Sequence, residues 1–114
     1  MATKKISNKY HDAEDCPITA TIDVIGGKWK PPIIWLLLDG PMRFGELSKT
    51  MPNMALKVLS KQLKELEADG IIVRRAYPEI PPRVEYSLSE KGESLRAVMY
   101  LLSEWSRKHI LAER

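Results

Sequence analysis

The stretch ALKVLSKQLKELEADG, residues 55–70, decides the fold, and IIVRRAYPEIPPRVEYSL, residues 71–88, shows what stands beside it. At about 100° per residue, Leu59, Leu63 and Leu66 share one face of a helix over Ala55–Asp69, and Lys57, Lys61 and Lys64 share the opposite face. Gly70 stands where a helix C-terminal cap belongs. The second stretch changes period: Ile71, Ile72, Val73 and Tyr77, then Val84, Tyr86 and Leu88 at alternate positions, are β-branched and aromatic runs that predict two strands. Pro78, Pro81 and Pro82 stiffen the tip between them, because proline fixes φ and cannot donate to a strand ladder.

Working outward, Phe44, Leu47 and Met51 recur at three- and four-residue spacing, and Pro52-Asn53 interrupts before the cationic helix begins. Two helices joined by so short a turn predict a helix-turn-helix over about residues 43–69, with a hairpin wing over about 71–88. Farther upstream, Ile33 to Leu38 is apolar almost all round, the mark of a helix buried on most sides, and Asp39-Gly40-Pro41 ends it. Cys16-Pro17 opens and Gly26-Gly27 closes a first helix over about 17–26, proline being well suited to a first helical position. Downstream, Ser89 caps a last helix over about 89–110, with Leu95, Val98, Met99, Leu102 and Trp105 along one stripe. That stripe exceeds what one small domain covers, so two copies are expected to join as a homodimer. The fold class expected is mainly α with a small β-hairpin, a winged helix-turn-helix over residues 15–114 behind a flexible basic and polar arm over 1–14.

Composition narrows the function. A chain of 114 residues suits one domain, its 44% apolar content is that of a soluble globular protein, and no apolar run approaches a membrane span. The basic start is not followed by the apolar stretch of a secretory signal, so a cytoplasmic location is expected. The lone Cys16 excludes an intrachain disulfide framework and a multi-cysteine zinc site. With His11 and His109 near opposite ends and no Gly-rich phosphate loop, neither catalytic residues, nor a metal site, nor a cofactor are expected, and the chain reads as no enzyme. The net charge of +3 says little by itself. Its distribution says more, because residues 41–88 carry eight basic and six acidic side chains while the flanking segments are nearly balanced.

Those cations define a reading of double-stranded DNA. An α-helix fits the major groove, where side chains of its first turns reach base edges and lysines neutralise phosphates. Lys57, Ser60 and Lys61 are the sharpest contact candidates, and Lys64 lies too far along for bases. A lysine stripe alone is usually a solvated surface; the helix before it and a wing bearing Arg74, Arg75 and Arg83 after it favour DNA. Arg43, at the start of the preceding helix, either clamps a phosphate with backbone N–H groups or pairs with Glu46. Arg83, rigidly set beside Pro81 and Pro82, is expected to be presented to DNA, whereas Arg74 could instead brace the hairpin through Glu85.

The stretches Cys16-Pro17, DVIGGKWKP (23–31), LDGP (38–41), RFGEL (43–47), LSKQLKELEADG (59–70) and YPEIPPRVEY (77–86) resemble the HxlR-type regulators, relatives of the MarR-type winged helix-turn-helix proteins of bacteria, over roughly residues 16 to 107. The resemblance implies a homodimer built from the first and last helices, operator binding through the helix after the turn, and control of nearby genes; a palindromic operator and repression are the expectation here. The chain departs from the family where a serine and a polar residue commonly open the recognition helix: it has Met54-Ala55-Leu56, so Asn53 is the expected substitute cap. Some HxlR-type regulators use a cysteine at the position of Cys16 to sense oxidants or electrophiles such as quinones and aldehydes. Cys16 before Pro17 would occupy a helix N-cap, where N–H groups and the dipole favour a thiolate; Glu14 and Asp15 oppose this, and a small, semi-buried, inert cysteine is the plainer alternative. Trp29 and Trp35 either line a pocket for a small-molecule effector near the dimer seam or are core. The alternative function is a winged helix used for protein contact or ligand sensing with little DNA affinity, to which the apolar Met54 and Leu56 lend support.

Overall fold

Pro17 and the Gly26-Gly27 pair bracket the first helix as the sequence requires, and Gly27 takes a φ of 93° that a side chain would resist. The computed structural model describes residues 16–114, so the expected arm over 1–14, with His11, lies outside the described residues. In chain order the elements are α1 (Pro17–Ile25), α2 (Lys30–Leu37), β1 (Met42–Arg43), α3 (Phe44–Thr50), α4 (Leu56–Ala68), β2 (Ile72–Tyr77), β3 (Arg83–Leu88), α5 (Glu90–Glu93), α6 (Arg96–His109) and a last 3-10 turn (Leu111–Glu113).

The core lies where α2, α3 and α4 meet one face of the sheet. Ile33, Ile34, Leu47 and Leu66 are fully buried there, with Leu59, Leu63 and Ile72 nearly so. Helix α2 is enclosed on most sides, as its apolar run predicts. Strands β2 and β3 pair antiparallel from Ile72 opposite Leu88 to Tyr77 opposite Arg83. The hairpin is extended by a strand the sequence does not announce: β1 pairs with the free edge of β3, placing Met42 opposite Tyr86 and Arg43 opposite Glu85. Two residues are too short to display a period of two.

Two other expectations are corrected. The last helix is not continuous: Ser89 does cap it, its Oγ accepting from the Gly92 N–H at 3.0 Å, but α5 ends after one turn and α6 starts at Arg96. Gly92 packs so tightly on the Ile71 carbonyl that any side chain would collide with it, and the Arg96 guanidinium donates to the Leu38 carbonyl at 2.9 Å, fixing the new helix to the end of α2. Asn53 is not the cap of α4 either. That position belongs to Ala55, with no side-chain hydrogen bond, because Met54 turns into the core and its N–H bonds the Met51 carbonyl at 3.1 Å. Among the described residues no helix is long and apolar enough to cross a membrane.

Candidate nucleic-acid interface

Helix α4 sorts its side chains as its sequence dictates. Leu59, Leu63 and Leu66 are buried, Lys57, Lys61 and Lys64 are exposed on the far side, and Ser60 is half-buried beside them. None of these three lysines is within ion-pair distance of a carboxylate among the described residues, so all three can meet external anions. Gly70, at a φ of 75°, ends the helix and turns the chain into β2, which sets the wing next to α4. Met54 is a core residue, which removes it from the apolar surface that favoured a protein-contact module; Leu56 remains exposed.

Arg43 is the N-cap of α3, and its backbone N–H donates to Glu46 Oε1 at 2.8 Å. The Glu46 carboxylate therefore caps the helix, and the Arg43 side chain stays exposed. Residues opposite each other in an antiparallel ladder share a sheet face, so Arg43, Arg75, Arg83 and Glu85 lie on one face and Arg74 on the other. Arg74 thus does not brace Glu85; Arg74 and Arg75 are both exposed. Arg83 is the brace. Its guanidinium lies 2.9 Å from Glu79 and 3.8 Å from Glu85 and stacks 3.9 Å over the Tyr77 ring, with its Nε buried and unpartnered. The expected presented contact is thus a half-buried element of the wing, and Tyr77 and Glu79 are the partners that sequence reading missed.

Sequence reading also missed a contact beside the lysines. Lys30, at the first position of α2, reaches across to α4 and places its Nζ 2.7 Å from Glu65 Oε1. A signal was there to find, since a cation in the first turn of a helix opposes the dipole and needs a partner to hold it.

The other expected sites divide. Cys16 is the N-cap of α1 and half-buried; the Thr19 backbone N–H, then its hydroxyl, hold the thiol below its ordinary pKa, aided by the Ile18 N–H, while burial works against them. On the predicted stripe, Met99 is buried in the protomer core and is not an open dimer contact, while Leu95, just before α6, is half-buried and packs against that core. Val98, Leu102 and Trp105 are exposed, joined by Leu101 at 71% and, on α1, Ile18 at 69% and Ile22. His109 lies against Trp105, ring centroids 5.2 Å apart. Trp29 packs on the core, while Trp35 is edge-on to Tyr100 at 5.6 Å and borders a cleft of about 270 Å³ with Pro31, Pro32 and Leu102. Among the described residues no group of side chains could hold a metal ion.

A helix with a dry face and a cationic face, set behind a short helix and beside a three-stranded wing, defines a winged helix-turn-helix transcription regulator. The chain belongs to the HxlR family: the HxlR-like helix-turn-helix family model matches residues 24–114. It is 42% identical over 111 residues to the HTH-type transcriptional regulator YdeP of Bacillus subtilis (strain 168), covering 96% of this chain and 87% of that one. Its fold is similar to that of the redox regulator HypR in its oxidised form, with a TM-score of 0.79, 44% identity, and coverage of 82% of this chain and 97% of that one. It is also similar to the quinone-bound YodB of B. subtilis, with a TM-score of 0.70, 35% identity, and coverage of 82% and 99%.

Proposed function

We propose that the chain acts as a homodimer that binds a palindromic operator in double-stranded DNA, represses nearby genes, and works in the cytoplasm. Helix α4 enters the major groove, where Lys57, Ser60 and Lys61 face base edges and phosphates, and Lys64 meets backbone alone. Arg43 and Arg75 from one face of the wing and Arg74 from the other contact phosphates, and Asn53, exposed in the turn before α4, lies at the edge of the groove. The observation that carries this reading is the division of α4 into a leucine face buried in the protomer and a lysine face without an ion-pair partner among the described residues. The exposed apolar faces of α1 and α6 support the second copy that a palindrome requires. Selection of bound duplexes from a random DNA pool tests it: enrichment of a palindrome is expected, and a pool left unenriched would favour the protein-contact or ligand-sensing reading.

Cys16 is the proposed sensor. Its place at a helix N-terminus with a lowered pKa supports thiolate chemistry, and similarity to HypR and YodB, described in oxidised and quinone-bound forms, points the same way. An adduct or intersubunit disulfide at the start of α1 would shift the spacing between the two recognition helices. Oxidant or quinone should then weaken DNA binding by the wild type and leave Cys16→Ser unaffected; equal loss in both would remove Cys16 from the mechanism.

A further inference from the structure

Lys30 is the buried charged residue of the described chain, only 9% exposed, and its ammonium is held by Glu65. Glu65 is 41% exposed and borders the same surface groove as Lys57, Ser60, Lys61 and Lys64. The helical period places it on the flank of the lysine face, beside Lys61. A free carboxylate there would repel the phosphates that the lysines attract, and would draw Lys61 towards itself. The carboxyl of Glu65 is kept below its ordinary pKa by Lys30 first and by Lys61 at longer range, as expected of a charge lying between the two.

We propose that Lys30, although it lies outside the DNA-facing surface, is a positioning residue for it, neutralising Glu65 and fastening the flank of α4 to the first turn of α2. The inference rests on the DNA reading of α4 proposed above. Its chemistry is electrostatic: the neutral pair removes a free carboxylate from this flank of the lysine face, the exposed Glu67 lying on the other flank. The pair therefore links the cationic helix to α2, the helix that follows α1 in the chain.

Removal of either partner separates this role from a merely structural one, because the two deletions change local charge in opposite senses. Lys30→Met keeps the length of the side chain and removes its charge. On a fluorescein-labelled duplex recovered from the random-pool selection, it should bind about threefold to tenfold more weakly than the wild type, with the deficit shrinking as salt rises. Glu65→Gln should bind about twofold to threefold more tightly while its melting temperature falls, since the buried Lys30 then lacks a counter-charge. The double variant should return to within about twofold of the wild type. A structural brace alone would weaken binding in both single variants in step with their melting temperatures, and that result, or unchanged affinity in both, would overturn the proposal. If Lys30→Met does not fold, the direction of the Glu65→Gln effect still decides. A wild type that binds no duplex would overturn the proposed function and this inference with it.

Discussion

Helices α4 and α6 are nearly equal in length, 13 and 14 residues, and both are amphipathic, yet the protomer uses them in opposite ways. Helix α4 buries its whole leucine face and turns lysines to solvent. Helix α6 buries only Met99 and turns Val98, Leu101, Leu102 and Trp105 outward. An apolar face covered within the chain frees the opposite face for a charged ligand, whereas one left uncovered calls for a partner of the same character. On the proposed reading, the difference gives DNA to α4 and a second copy of the chain to α6.

The largest effect should come from breaking the apolar side of this contrast. Leu101→Glu with Trp105→Glu should give a folded monomer by light scattering and lose about 100-fold or more in affinity for a palindromic duplex, because the second half-site no longer binds intramolecularly. Leu63→Ala strikes the covered face of α4 instead. It should cost about 2–5 kcal/mol of stability in chemical denaturation, the usual result of a cavity in a full core. On the cationic face, Lys61→Ala should leave stability unchanged, weaken DNA binding about tenfold, and lower the slope of log affinity against log salt by about one unit for each phosphate that Lys61 neutralises. Arg83→Ala should change that slope less than Lys61→Ala, because its guanidinium already serves Glu79, Glu85 and Tyr77. The smallest effect concerns acid stability. Glu65 has a folded pKa below its unfolded value, so its pairing stabilises the fold above the ordinary carboxylate pKa and is lost as pH falls through the depressed value. Lys30→Met should flatten that part of the pH profile.

What the sequence revealed and what it hid follow from range. The amphipathic pattern of α4, the apolar run of α2, the β-branched and aromatic run of β2 and the alternation in β3 are local signals, and each element stands where its signal put it. The caps and breaks that failed are decided by distant groups. Asn53 lost the N-cap because Met54 is drawn into the core, and the last helix breaks where Gly92 meets Ile71. Met99 belongs to the predicted stripe by spacing, but the protomer core covers it, and Leu95 packs partly against that core. In the candidate site the lysines were legible because helical period alone separates them from the leucines. Arg83 was misjudged because its partners depend on strand register and on how the wing tip closes. Lys30 was passed over because its carboxylate lies 35 positions along the chain, although its place against the dipole was a hint.

The division of roles between α4 and α6 is tested most directly by the mass of the protein–DNA complex on a selected palindromic duplex, measured by light scattering at micromolar protein. Two chains per duplex are expected, with the unbound protein already dimeric. A monomer in solution that binds one chain per duplex, or binds none, would contradict it.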